Sequence, residues 1–79
     1  MIGTDYIPED AYVLVSQGIV IDWCLLKETA LMMAEKSNKH FLDYKQRCLD
    51  NYEAYADNAV YVFYKGEMIA TEYGVVNHV

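Results

Sequence analysis

Cysteines, basic residues and long apolar runs are all scarce in this sequence, and each scarcity excludes a class of protein. The two cysteines, Cys24 and Cys48, lie in helix-like sequence without CxxC spacing, which excludes a zinc ribbon or a disulfide scaffold and predicts buried free thiols. No apolar run approaches the roughly 18 residues that span a bilayer. Because the N-terminus also lacks the cationic start and apolar stretch of a secretory signal, the sequence favours a cytoplasmic location.

Positive charge is in short supply. Six Lys and Arg residues stand against twelve Asp and Glu residues, which gives a formal net charge of −6. A chain of this sign repels the phosphates of nucleic acids and the anionic surface of membranes. The sequence therefore predicts neither nucleic acid nor membrane as a direct partner.

Signatures of catalysis, metal binding and phosphate binding are also lacking. The chain has no GxGxxG, GxxxxGK or HExxH motif, and neither His40 nor His78 has the spacing of a metal ligand. His40 and Cys48 lie eight residues apart, about 12 Å along a helix, too far for an activated thiolate–imidazole pair. We therefore expect no enzymatic activity, no cofactor and no metal.

The composition nevertheless predicts a folded domain. The chain has 79 residues, of which 54% are hydrophobic and 23% charged, as is typical of globular rather than disordered proteins. We expect one small domain over residues 1–79, with an irregular arm at 1–10 and a fraying tail at 75–79.

Two pairs of β-rich segments flank a helical middle. Residues 11–16 and 19–22 surround Gln17-Gly18, which predicts a hairpin or, as an alternative, one strand kinked at Gly18. Residues 59–64 and 67–73 surround Lys65-Gly66 and predict a second hairpin. Since Lys65 is not the Asn or Asp that a type I′ turn prefers, a type I turn with a bulge is expected there.

The middle of the chain contains no Pro or Gly between residues 23 and 57 and is rich in helix-forming residues. Asp22 is the predicted N-cap, and Trp23 the predicted core anchor between sheet and helix. Ser37-Asn38 is the expected break, giving helices near 23–36 and 40–56; a single kinked helix is the alternative. The order β-β-α-α-β-β predicts an α+β fold, an antiparallel sheet with its helices on one face.

Eight tyrosines are unusual in so short a chain, and tyrosine is enriched at protein interfaces. Tyr52 and Tyr55 fall on the apolar stripe of the helical segment, so we expect both in the core. Both faces of the strand over 59–64 are apolar, and one of them would remain uncovered. The aromatic candidates for partner contact are Tyr12, Tyr61, Phe63, Tyr64 and Tyr73, and Tyr6 fits the same role.

A row of acids lies opposite the apolar stripe on a helical wheel. It either solvates the helix or attracts a basic partner, such as the nucleic-acid groove of an enzyme. Four cations between residues 36 and 47 leave both ends of the chain strongly negative. The acidic candidates for partner contact are Glu28, Glu35, Asp43, Asp50, Glu53 and Asp57.

Three functional hypotheses fit these features. The first is an acidic inhibitor or modulator that occupies a basic surface of a nucleic-acid-processing protein. The small size, acidity and lack of catalytic motifs of this chain resemble those of phage anti-defence proteins, including anti-CRISPR and anti-restriction inhibitors. The resemblance covers no motif and assigns no contact residue. The second is a homo-oligomer that pairs through the uncovered sheet face. The third is a sensor that binds a small ligand beside Trp23.

Overall fold

A computed structural model describes residues 6–78 and shows one antiparallel sheet with a helix on one face, which confirms the predicted α+β class. The sheet has five strands in the order β2-β1-β3-β4-β5. In chain order the elements are β1 (Tyr12–Ser16), β2 (Ile19–Cys24), α1 (Lys27–Asp50), β3 (Tyr61–Tyr64), β4 (Glu67–Thr71) and β5 (Gly74–Val75). Pairing of β1 with β3 joins the two predicted hairpins into a single sheet.

Both hairpins form, and both turn through two residues with positive φ. Gln17 and Gly18 have φ values of 54° and 75°, and Lys65 and Gly66 have values of 49° and 84°. Positive φ at both central residues is the type I′ pattern, which matches the right-handed twist of the strands. The expectation of a type I turn with a bulge at Lys65-Gly66 was therefore wrong. Bulges occur instead within the strands, at Leu14/Val15 and at Val62/Phe63.

A single helix replaces the two that were preferred from sequence. Helix α1 continues through Ser37 and Asn38, and Asn38 is buried at 2% exposure. Its side chain accepts a 2.7 Å hydrogen bond from the Val60 N–H and donates a 2.9 Å bond to the Val60 carbonyl. The amide that was expected to end the helix instead ties its centre to the segment entering β3.

The start of α1 also differs from expectation. Asp22 and Trp23 lie in β2, and the helix begins at Lys27 with Leu26 as an N-cap that makes no side-chain hydrogen bond. Asp22 accepts instead from the N–H of Trp23 at 2.7 Å. Cys24 is half-buried at the end of β2 rather than helical, whereas Cys48 is buried on α1 as expected.

The core lies between α1 and the sheet. Ile69 and Val62 are the largest fully buried side chains, and the small residues Ala30 and Ala34 let the helix approach the strands closely. The predicted tail begins as β5, and the N–H groups of Val76 and Asn77 both donate to the Ile69 carbonyl. Residues 1–5 of the expected N-terminal arm, and Val79, lie outside the described residues.

Candidate functional site

The predicted acidic row divides into two parts. Glu28, Glu35 and Asp43 are exposed on α1, but Lys39 lies four residues from both Glu35 and Asp43 on the same side of the helix. Glu53 and Asp57 lie beyond the end of α1 at Asp50. One continuous acidic helical face is therefore not formed, since the helix part is interrupted by cations and the rest belongs to a different segment.

The C-terminus of α1 adopts the backbone geometry of a Schellman motif. The N–H of Tyr52 donates to the Leu49 carbonyl at 3.2 Å, and the N–H of Glu53 donates to the Cys48 carbonyl at 2.8 Å. This motif needs a left-handed residue at the position of Tyr52, which has a φ of 57°. Glycine usually occupies that position because a Cβ atom is strained there.

Tyr52 is therefore a bulky residue at a position that usually holds glycine, and the backbone strain is not offset by burial of its side chain. It is 98% exposed, so the expectation that Tyr52 belongs to the core was wrong. A strained, fully exposed aromatic residue contributes nothing evident to folding, and such local exceptions are typical of functional positions. The sequence periodicity did not reveal that Tyr52 is exposed, because the helical wheel was extended past Asp50, the last residue of α1.

Tyr52 lies within a segment that carries acids and tyrosines but no cations. We name residues 50–57 the acidic loop; its acids are Asp50, Glu53 and Asp57. Every residue of the acidic loop is exposed, and neither Lys nor Arg occurs between residues 48 and 64. Three of the six predicted acidic contact residues therefore lie in the same exposed segment as Tyr52.

Hydrogen bonds from the rest of the molecule fix the acidic loop in place. The N–H of Ala56 donates to the Tyr44 hydroxyl on α1 at 3.1 Å, and the N–H of Ala59 donates to the Asp57 carboxylate at 3.2 Å. Just beyond the loop, the Gln17 side chain donates to the Asn58 side-chain carbonyl at 2.7 Å. The loop is thereby held at both the helix and the β1–β2 turn.

Tyr55 packs at the base of the acidic loop. It is 37% exposed, more than a core position allows, and its ring meets Phe41 edge-on at 6.3 Å. The Lys45 ammonium lies 5.4 Å from the Tyr55 ring and 5.9 Å from the Tyr73 ring, and donates to the Tyr73 hydroxyl at 3.3 Å. That hydrogen bond raises the pKa of Lys45 above its usual value. Lys45 thus links the loop to the β4–β5 turn.

The other aromatic candidates are distributed over both faces of the sheet. Tyr12 and Tyr64 stack at 4.3 Å on the helix side, half-buried against the core, so they are partly used in packing. Tyr61 and Phe63 alternate with Val62 and lie on the opposite face. Tyr6 and Tyr73 are exposed at 75% and 73%. Of these rings, Tyr73 is linked to the acidic loop through Lys45. Burial and, after it, the negative charges of Glu72 and Asp57 raise the pKa of Tyr61, so Tyr61 also lies near the loop.

A groove of about 1050 Å³ lies between α1 and the strands β4 and β5. Its apolar lining includes Leu31, Met32, Leu42 and Val75, and both acids and lysines border it. Trp23 lies in β2, at the other end of the strand order. The groove therefore does not supply the pocket beside Trp23 that the third functional hypothesis requires.

Residues 6–78 contain no group of three or more His, Cys, Asp or Glu side chains arranged to hold a metal ion. Within the same range, no helix combines the length and the apolar character needed to cross a membrane. No protein-family model, curated protein or solved structure matches the chain. The geometry of the described residues is therefore the guide to function.

Proposed function

We propose that this protein is a non-enzymatic binding module whose acidic loop attaches to a basic surface of another protein. The observation that carries the proposal is Tyr52, which has a strained left-handed backbone and a 98% exposed side chain and shares its exposed segment with Asp50, Glu53 and Asp57. The proposed target surface is one that otherwise binds nucleic acid, so the module acts as an inhibitor or modulator in the manner of phage anti-defence proteins. Such a target implies a cytoplasmic location.

The charge distribution supports a basic partner. Three carboxylates without a cation between residues 48 and 64 create a local negative potential, which steers a positive surface towards the loop and speeds association. Carboxylates spaced along an exposed backbone can also replace the phosphates that a nucleic-acid-binding groove contacts. This part of the interaction weakens as salt screens the charges.

The aromatic ring supports affinity. Charged groups at the rim of an interface add little binding energy, whereas a tyrosine desolvated at its centre is a common hot spot. The Tyr52 ring stands free of the rest of the chain and has acids on both sides in the sequence. Because Tyr44 and Gln17 already hold the loop, binding loses less conformational entropy than it would with a mobile segment.

The test compares three baits in affinity capture from a bacterial lysate at low and at high salt, with quantitative mass spectrometry. The wild-type chain is compared with a loop variant, Asp50→Asn, Glu53→Gln and Asp57→Asn, which retains side-chain hydrogen-bond acceptors. The matched control removes the same number of charges from α1, through Glu28→Gln, Glu35→Gln and Asp43→Asn.

The proposal expects at least one basic protein that wild type and the α1 control retain, that high salt releases, and that the loop variant loses. After purification, this protein should release bound nucleic acid when the wild-type chain is added. Equal retention by the loop variant and wild type would refute the acidic loop as the binding site. Stronger loss with the α1 control would instead assign binding to the helix.

A further inference from the structure

The β4–β5 turn, residues 72–73, meets the acidic loop although the two are distant in sequence. Lys45 on α1 joins them, because its ammonium lies 5.4 Å from the Tyr55 ring of the loop and 5.9 Å from the Tyr73 ring of the turn. The same ammonium donates to the Tyr73 hydroxyl at 3.3 Å. The acidic loop and the β4–β5 turn are therefore neighbours at one end of the molecule.

Tyr61, the first residue of β3, lies close to both segments. Burial is the main cause of its raised pKa, and the negative charges of Glu72 and then Asp57 raise the pKa further. One of these carboxylates belongs to the turn and the other to the acidic loop, so both act on the same phenol. We name the acidic loop together with Tyr61, Glu72 and Tyr73 the composite surface.

The composite surface combines carboxylates with exposed tyrosine rings. Neither Lys nor Arg occurs at residues 48–64 or 66–79, which supply all of its residues. Its two most exposed rings are Tyr52 at 98% and Tyr73 at 73%. Glu53 follows Tyr52 and Glu72 precedes Tyr73, so each of these rings has a carboxylate as its neighbour in the chain. The same pair of groups is therefore present in both segments.

The rings of the composite surface already receive a cation from their own chain. The Lys45 ammonium lies within 6 Å of two ring centroids, the range in which the negative face of an aromatic ring attracts a positive charge. Tyr73 nevertheless remains 73% exposed, so most of its ring is open to a second cation. The local geometry thus suits a positive group supplied from outside.

We propose that the composite surface recognises arginine side chains of a basic partner, with a guanidinium stacked on the Tyr73 ring and paired with the Glu72 carboxylate. This inference rests on the proposed function of the acidic loop and adds the β4–β5 turn to its binding site. Arginine fits better than lysine, because the planar guanidinium both stacks on an aromatic ring and pairs with two carboxylate oxygens, and is more weakly hydrated than an ammonium. One exposed stacked pair should strengthen binding by about two- to fivefold.

Hexa-arginine and hexa-lysine peptides provide the test, since they carry the same formal charge. The ratio of their affinities, measured by fluorescence anisotropy of labelled peptides at low salt, reports recognition of arginine beyond charge alone. Wild type should bind hexa-arginine more tightly. Tyr73→Ala and Glu72→Gln should each lower the ratio by about two- to fivefold, whereas Tyr73→Phe should preserve it because the ring remains.

Two matched controls should leave the ratio unchanged. Tyr6→Ala removes a ring of nearly equal exposure, 75% against 73% for Tyr73, and Glu9→Gln removes an exposed carboxylate in the turn before β1. Circular dichroism checks the fold of every variant, and Glu72→Gln supplies the test if Tyr73→Ala does not fold.

An unchanged ratio in both Tyr73→Ala and Glu72→Gln, or equal affinity of wild type for the two peptides, would overturn the inference. Equal losses in Tyr73→Phe and Tyr73→Ala would also overturn it, since the hydroxyl bonded to Lys45 would then be responsible rather than the ring. The loop variant tests the proposed function separately, because it should weaken both peptides. If only the loop variant weakens binding, the acidic loop stands as the site and the role of the β4–β5 turn fails. If wild type binds neither peptide, the proposed function fails as well.

Discussion

Replacing Tyr52 by glycine should stabilise the fold while removing the proposed binding contact. The left-handed conformation at φ 57° costs a non-glycine residue about 1–2 kcal/mol. Glycine avoids this strain but gains conformational freedom in the unfolded chain, which offsets about 0.5–1 kcal/mol. The ring is 98% exposed, so no packing is lost. The free energy of unfolding should therefore rise by about 0.5–1 kcal/mol.

Thermal and urea denaturation of Tyr52→Gly test this magnitude. For a domain of this size, 1 kcal/mol corresponds to about 4–8 °C in Tm, so an increase of about 3–6 °C is expected. Tyr52→Ala is the matched control, because it removes the ring and keeps the strained backbone. Its stability should stay within about 0.5 kcal/mol of wild type, as for other exposed substitutions.

Binding should respond to the ring alone. Both Tyr52→Gly and Tyr52→Ala should lose affinity for the captured target by tenfold or more, the range of an aromatic hot spot. A variant that is more stable and binds less well would separate the two roles of the position. A lower Tm for Tyr52→Gly would refute the reasoning, since it would mean that the tyrosine stabilises the left-handed turn.

Three further substitutions and a pH titration test the fold. Asn38→Ala should lower the free energy of unfolding by about 2–4 kcal/mol in urea denaturation, because both backbone groups of Val60 lose their partner. Ile69→Val should cost about 0.5–1.5 kcal/mol in the same assay. Lys65→Asn should raise Tm slightly, since Asn-Gly suits a type I′ turn. Burial raises the pKa of the Tyr61 phenol above 10.0. The contribution of the neutral phenol to the free energy of unfolding should therefore be complete below pH 10 and be lost as the pH rises through the pKa of the folded state.

The strands were the most predictable part of the fold. Both hairpins follow from β-branched and aromatic runs around a dipeptide ending in glycine, a local signal that tertiary packing reinforces. The turn type at Lys65-Gly66 was not predictable from residue preference, because a two-residue connection between twisted strands selects type I′ even when lysine occupies the first position.

The helix boundaries depended on contacts that are distant in sequence. Asn38 has a modest helix propensity and often ends helices, yet Val60 supplies it with a donor and an acceptor from 22 residues away. Before the start of the helix, Asp22 has a side chain that suits an N-cap, but it lies in β2, where it pairs with Leu14 of β1. Because the apolar stripe continues beyond Asp50 on the helical wheel, the sequence predicted a longer helix with Tyr52 and Tyr55 in the core, and this prediction was wrong.

Asn38 and Tyr52 both occupy positions that residues of their type usually avoid. Folding explains Asn38 but does not explain the tyrosine at position 52. The polar group of Asn38 is buried, but two hydrogen bonds to Val60 satisfy it, so folding explains the residue. Gln17 and Lys65 also have positive φ, yet both occupy hairpin turns whose twist requires it. At Tyr52 the Schellman motif explains the left-handed backbone but not the tyrosine, for which glycine would serve better. A side chain that strains the backbone and contacts nothing in its own chain is accounted for most simply by contact with another molecule.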